Sequence, residues 1–227
     1  MILRPDDTLA PRMPRLDRLN ERYQSHHAGE KQEFVFGGDE RGTILASWVG
    51  GPGRRVLDLG CRTGALTRHY APGNDVVGVD VDRDALARAA ERLGIETVWA
   101  DVEDGLPFED ESFDAVVAGE LLEHLEEPAA VVAHVRRVLR PGGRFAGSVP
   151  NAFRLKSRVA YALGRYPQDW DPTHLQLFTP AALRRLLAGF EDVEIRFAIG
   201  RYVRLHPRLL ANVQLFSARK PAADRAT

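Results

Sequence analysis

Hydrophobic positions along the chain follow two alternating rhythms. Short β-branched runs occur at RRVLDL (54–59), DVVGVD (75–80), ETVWAD (96–101), FDAVVAG (113–119) and GRFAGSV (143–149), and each predicts a buried strand. Segments of helical period lie between them and predict helices beginning near Gly64, Arg83 and Pro128. In PAAVVAHVRRVL, Val131, Val135, Val138 and Leu139 share one face. Pro128 suits the first turn, where its missing N–H leaves no bond unmade, and PGG at 141–143 stops the run. Strands that alternate with helices need crossover connections, so the pattern predicts an α/β fold: a doubly wound, mostly parallel sheet.

After Pro150 the rhythm changes. NAFRLKSRVAYALG predicts an inserted helix, RYPQDWDPTHLQLFT a long loop and TPAALRRLLAGF a capped helix. VEIRFAIG and NVQLFSAR predict a closing pair of strands separated by the excursion RYVRLHPRLLA. Upstream, ERYQSHHAGEKQEFVFG and RGTILASWVG are expected to pack over the end of the first strand, and both termini read as loose tails. With 227 residues the chain is expected to form a single domain over 1–227. It divides into a helical N-terminal lid (1–50), a ligand-binding core (54–150) and an acceptor-side insertion (151–180).

Charge and cysteine content narrow the function. Lys+Arg 31 against Asp+Glu 32 leaves a net charge of -1, which speaks against nucleic acid as a partner of the whole molecule. The single cysteine excludes an internal disulfide. No apolar run approaches the ~18 residues of a membrane span, and the charged, proline-bearing start is unlike a signal peptide. The expectation is a cytoplasmic protein with a small-molecule partner, no membrane contact and an oligomeric state that the sequence leaves open.

The chemistry begins at VLDLGCRTGALT, where a buried strand runs into a glycine turn expected to open a helix and hold an anionic group. A dinucleotide pyrophosphate needs glycine at the second fingerprint position for close backbone approach, yet Arg62 stands there and Ala65 at the third. A ligand offering only a small carboxylate, such as S-adenosylmethionine (SAM), tolerates that side chain. Asp80, twenty positions after Gly60 at the end of the second strand, is placed to accept from both ribose hydroxyls.

VLDLGCRTG, VVGVD, WADVEDGLPFEDESFDAVVAGELLEHL and LRPGGRFAGSVPN, in this order, resemble the motif series of class I SAM-dependent methyltransferases. The resemblance covers roughly residues 54 to 150, and FTPAALRRLL extends it. It implies a seven-stranded Rossmann-like sheet with the last strand antiparallel, and SAM as cofactor. By position, Gly60 and Gly64 flank the methionine moiety with Cys61 between them. Asp80 with Val81 binds the ribose, Asp101 with Val102 the adenine, and Asp58 with the backbone around Gly119 the ammonium. Apart from the resemblance, Tyr23, His26 and His27 fall in the expected lid, where an aromatic ring can cover the sulfonium through a cation–π contact; a plain surface helix explains the same residues.

Methyl transfer displaces sulfur from an activated carbon, so alignment is the main requirement. A hydroxyl acceptor must also lose its proton, which calls for a base or a metal ion. ELLEH at 120–124 is expected to place Glu120, Glu123 and His124 on one helical face, with His174 of DPTHLQLFT folding across. Glu120, His124 and His174 are the catalytic candidates. The same three with Glu123 could ligate a divalent ion such as Mg or Mn. ExxEH with a later histidine is similar to the metal site of small-RNA 3′-end 2′-hydroxyl methyltransferases and to the ubiquinone-pathway O-methyltransferases; a solvated acidic helix end explains the same residues without an ion. Tyr166 and Trp170 are candidates for the acceptor pocket, and Arg154, Lys156 and Arg158 form a basic stripe that reads as a solvated face. The expected function is methyl transfer to a small-molecule hydroxyl. The alternatives are an RNA 2′-hydroxyl methyltransferase, a non-catalytic SAM-binding partner subunit and a nicotinamide-dependent oxidoreductase.

Overall fold

The computed structural model describes residues 14–26, 35–165, 171 and 173–222. Two helices, α1 (Arg15–His26) and α2 (Gly38–Val49), precede the alternating core. The core runs β1 (Arg55–Leu59), β2 (Asp75–Asp80), α3 (Arg83–Leu93), β3 (Glu96–Trp99), β4 (Phe113–Gly119), α4 (Pro128–Val138) and β5 (Leu139–Pro150). After it come α5 (Leu155–Ala162), α6 (Pro180–Leu186), β6 (Glu191–Ala198), α7 (Pro207–Leu210) and β7 (Val213–Arg219).

The seven strands form one sheet in the order β3-β2-β1-β4-β5-β7-β6. β1 to β5 are mutually parallel, and β7 inserts antiparallel between β5 and β6. Both faces are covered, as the near-continuous apolar runs require. Leu57 and Leu59 of β1 and Val116 and Ala118 of β4 join a core with Val131, Val135 and Val138 of α4 and Leu183 of α6. Their neighbours Val56, Ala115 and Val117 turn to the other face, under Leu45, Trp48 and Val49 of α2. The period of two along each strand therefore sorts every residue to one layer or the other.

Local signals set the helix ends. The Asp82 carboxylate accepts from the N–H groups of Asp84 and Ala85 to start α3, and Gly94 closes it in the left-handed conformation at φ 64. The Thr179 hydroxyl accepts from Ala182 N–H to start α6.

Three expectations change. No α-helix follows Gly64; Thr67–His69 forms one short 3-10 turn before β2. Tyr70 lies fully inside the core there, anchored by its hydroxyl to Asp58, and that anchor holds the segment close to the sheet. β5 begins at Leu139 rather than near 143, because Leu139 pairs with Phe113 across a register shift instead of continuing the α4 face. ELLEH is not an α-helical turn either: Glu120 is left-handed at φ 56, and only Leu122–His124 turns, as a 3-10 segment.

Candidate active site

The sheet reverses its winding between β1 and β4, and ligands of open α/β sheets bind beyond the carboxyl ends of the strands at such a point. A cavity of about 410 Å³ opens there. It is lined by residues that follow the ends of β1 to β4, closed from above by Leu19 and Tyr23 of α1, and bounded on the far side by Asp171 and His174.

The first loop bends at Gly60, whose φ of 71 and N–H bond to Val79 O turn the chain out of the sheet. A Cβ at Gly60 would lie 3.2 Å from Leu121 Cδ1, so the bend and the close packing both call for glycine. Arg62 adopts φ 48 and donates its backbone N–H to Asp80 Oδ2 at 2.8 Å. A left-handed turn is thus made without glycine, and Arg62 is among the residues lining the cavity. The α-helix N-terminus expected at this loop is not formed, since Thr67–His69 makes only a 3-10 turn.

The charge of the lining replaces that argument. Asp58, Asp80, Asp101, Glu103 and Glu120 face the cavity against Arg41 and Arg62. An acidic lining opposes a diphosphate and suits a ligand that bears a sulfonium and an ammonium. SAM fits on this ground, with the 410 Å³ volume in the range of small-molecule sites. Asp58 is buried and accepts from the Thr67 hydroxyl at 2.6 Å and the Tyr70 hydroxyl at 2.7 Å. Burial pushes its carboxyl up to about 6, against the lowering effect of the two hydroxyls. Asp80 Oδ1 accepts from Asp82 N–H and Oδ2 from Arg62 N–H, which leaves each oxygen a second lone pair for a ribose hydroxyl. Val81, Ala100, Val102 and Leu125 supply apolar lining nearby.

Of the residues assigned from sequence to the cofactor, Tyr23, Asp58, Gly60, Cys61, Asp80, Val81, Asp101, Val102 and Gly119 all line this cavity. Gly64 does not. It faces α3 instead, where a Cβ would meet Leu93 Cδ1 at 2.5 Å.

On the acceptor side, Glu123 is 1% exposed, and both its carboxylate oxygens are buried without a hydrogen-bond partner among the described residues. Burial, and next the Glu120 charge, raise its carboxyl well above the ordinary value. Glu123, His124 and His174 each bring one ligand atom within 4.8 Å of the others, so these three converge as expected. Glu120 does not join them: its left-handed backbone directs Oε1 to Arg41 Nη2 at 3.6 Å. The expected set of four is therefore a set of three, assembled by tertiary folding rather than by helical spacing.

His124 is held by a chain of bonds. Its Nδ1 lies 3.0 Å from Thr173 Oγ1 and 3.2 Å from Thr173 O, and the Thr173 hydroxyl donates to Asp171 Oδ1 at 2.6 Å. The carbonyl can only accept and the hydroxyl proton is committed to Asp171, so Nδ1 carries a ring hydrogen, and in the neutral ring the lone pair lies on Nε2. Tyr23 stands edge-on to the His124 ring at 6.0 Å, and burial pushes its phenol up to about 12.

Sequence reasoning missed several partners. Arg15 of α1 reaches Asp101 at 3.1 Å and Glu103 at 2.9 Å, fastening the lid to the floor of the cavity. Arg41 is 3% exposed and donates to Ser148 Oγ and Phe36 O. Its signal was legible, since a charge at 41 shares the helical face of Leu45 and Trp48. Thr67, Tyr70, Thr173 and Asp171 had no such signal. Tyr166, Trp170 and His27 lie outside the described residues, as does the side chain of His26.

A family model described as a methyltransferase domain matches residues 57–147. Over 144 residues the chain is 31% identical to a ubiquinone biosynthesis O-methyltransferase of Aeromonas salmonicida, covering 59% of this chain and 60% of that one. Over 118 residues it is 37% identical to a ubiquinone/menaquinone biosynthesis C-methyltransferase of Desulfotalea psychrophila, covering 49% and 48%. The chain thus spans about half the length of the curated relatives it matches. The N-methyltransferase NodS of Bradyrhizobium japonicum, solved with S-adenosylhomocysteine, superposes with a TM-score of 0.64 at 20% identity, covering 89% of this chain and 98% of that one.

Proposed function

We propose that this chain is a class I SAM-dependent methyltransferase that transfers the SAM methyl group to a hydroxyl oxygen of a small-molecule acceptor, a reading supported by the methyltransferase-domain match over residues 57–147. The relatives' names span oxygen, carbon and nitrogen acceptors, so the choice of oxygen rests on the site. The observation that carries it is His124, whose Nε2 bears a lone pair in a cavity-lining ring held by Thr173.

Bound SAM supplies a methyl carbon already activated by the positive sulfur. Asp80 holds the ribose end and Asp58, ionised beside the ammonium, the amino-acid end. α1 covers the cavity through Tyr23 and excludes water. His124 Nε2 would take the proton of the acceptor hydroxyl and hold it on the imidazole, while SAM, when bound, would give up its methyl group and become a neutral thioether, so that charge and atoms balance. His174, against the His124 ring at 4.9 Å, orients the acceptor.

The test is His124→Gln, assayed by S-adenosylhomocysteine release with a panel of phenols and catechols. The expected result is an O-methylated product in the wild type and a fall in kcat of about a hundredfold in the variant, with cofactor affinity unchanged. Turnover unaffected by the substitution, or products methylated only on nitrogen or carbon, would overturn the reading.

The unpartnered carboxylate of Glu123 favours a second reading. Glu123, His124 and His174 would hold a divalent ion, which would lower the pKa of the acceptor hydroxyl in place of a base. One carboxylate and two imidazoles suit Mn better than Mg, which prefers oxygen ligands. Added Mn should then raise the melting temperature of the wild type and not of Glu123→Gln; equal melting in both removes the ion.

A further inference from the structure

Helix α5 presents an unusual face. Successive residues turn by about 100°, so Leu155, Val159 and Leu163 form one stripe, and they are 46%, 52% and 65% exposed. Lys156 and Arg158 lie on the two edges of that stripe. The opposite side, turned to the protein, carries the small buried Ser157. A soluble amphipathic helix places its apolar stripe inward; here the outward arc is aliphatic at its centre and basic at its rims.

A second segment extends this surface. Asn151, just before α5, donates to the carbonyls of Arg208 and Ala211, and α5 packs against α7. The loop leading into α7 exposes Tyr202 at 54% and Leu205 at 79%. Every charged side chain from 151 to 165 is basic: Arg154, Lys156, Arg158 and Arg165. The same holds from 199 to 212, with Arg201, Arg204 and Arg208. In a chain of net charge -1, cations and exposed aliphatic groups are thus gathered on neighbouring segments.

The surface adjoins the cavity. Both segments follow the carboxyl-end rim of the sheet, where Pro150 of β5 pairs with Val213 of β7. Ile199, first in the excursion, presses on Gly37, where a Cβ would come within 2.7 Å of Ile199 Cδ1. Gly37 neighbours the cavity-lining Phe36, itself 49% exposed.

We infer that the face formed by α5 and residues 199–210 docks on an anionic lipid surface. Leu155, Val159, Leu163 and Leu205 enter the interface between headgroups and acyl chains, and the flanking arginines and lysine meet the lipid phosphates. Charge complementarity decides the occupant. A second copy of this chain would set the same cations against each other, and an RNA would call for aromatic stacking rather than an aliphatic centre. Among the described residues no helix is long and apolar enough to cross a membrane, so the contact is peripheral. The expectation of no membrane contact then holds for spanning alone. The docking stands apart from the proposed methyl transfer; where both hold, the acceptor is a membrane-dissolved hydroxyl compound entering beside Phe36.

The full chain is sedimented with sucrose-loaded phosphatidylcholine vesicles, with and without phosphatidylglycerol. Binding is expected to the anionic vesicles only, to fall with added salt, and to weaken about tenfold in Leu155→Ser/Val159→Ser/Leu163→Ser. These side chains are exposed, so the variant should keep the wild-type circular dichroism and melting temperature. A double variant, Lys156→Gln/Arg158→Gln, should weaken binding with the apolar stripe intact. The inference is overturned by no pelleting of the wild type with anionic vesicles, by pelleting that neither variant reduces, by competition from single-stranded RNA at equal charge, or by a self-associated species in sedimentation equilibrium that the Ser variant dissociates.

Discussion

Asp58 is the residue where burial and binding oppose each other. Its carboxyl is raised from 3.8 to about 6 in the folded chain, so between these values the folded state holds a proton that the unfolded state has lost. Stability therefore falls as pH rises through that window, by about 3 kcal/mol for this group. Asp58→Asn should remove the slope: relative to the wild type, its melting temperature should gain more at pH 7 than at pH 4, read by calorimetry at both. Under the proposed placement of the SAM ammonium beside Asp58, ligand binding runs the other way, since it needs the carboxylate ionised. Affinity for S-adenosylhomocysteine in the wild type is expected to weaken about tenfold per pH unit below about 6, and an affinity constant from pH 7 to 5 would remove Asp58 from the ammonium site. Asp80→Ala should abolish cofactor binding altogether in the same titration, whereas His124→Gln should leave it intact.

At the scale of elements, α1 matters more than its sequence suggested. Only Tyr23 marked it as part of the site; the fastening is by Arg15, which meets Asp101 and Glu103 across the cavity. Arg15 is 39% exposed, so solvent screens these pairs. Arg15→Ala should speed cofactor release by about fivefold in stopped-flow fluorescence without lowering the melting temperature. An unchanged rate would show that α1 closes by apolar contact alone. α6 shows the reverse case, in which a local signal was sufficient: TPAALRRLL announced a threonine cap, and Thr179 makes it. Thr179→Ala should cost about 1 kcal/mol in urea unfolding. The apolar positions of α3 and α4 were equally legible, because their period and caps are local. The helix expected after Gly64 failed for a tertiary reason, since Tyr70 and Thr67 are drawn inward to bond the buried Asp58.

For the whole molecule, the decisive element is the last. β7 pairs with β5 on one side and β6 on the other, so the C-terminal strand is interior to the sheet, with Phe216 and Leu215 fully buried on its two faces. A chain ending before Val213 should lose both pairings and expose Phe145, which meets Phe216 at 5.1 Å; aggregation on expression and loss of a cooperative melt are expected. A truncated chain that melts cooperatively would show that β1 to β5 fold alone. Charge, too, acts at this scale: a balance of -1 conceals an acidic cavity and a basic, aliphatic face on one rim.

The sequence by itself determined the layered sheet, most of its strand limits and, of the ten residues it assigned to the cofactor, the nine that line the cavity, because those features follow from alternation along single strands and from loops at strand ends. Only the tertiary structure decided that Glu120 turns to Arg41, that Glu123 sits buried with His124 and His174, and that Asp171 and Thr173 fix which histidine nitrogen bears the lone pair. Those contacts join segments roughly fifty to eighty residues apart, and no periodicity in a chain records the distance between side chains that meet only after the sheet has formed.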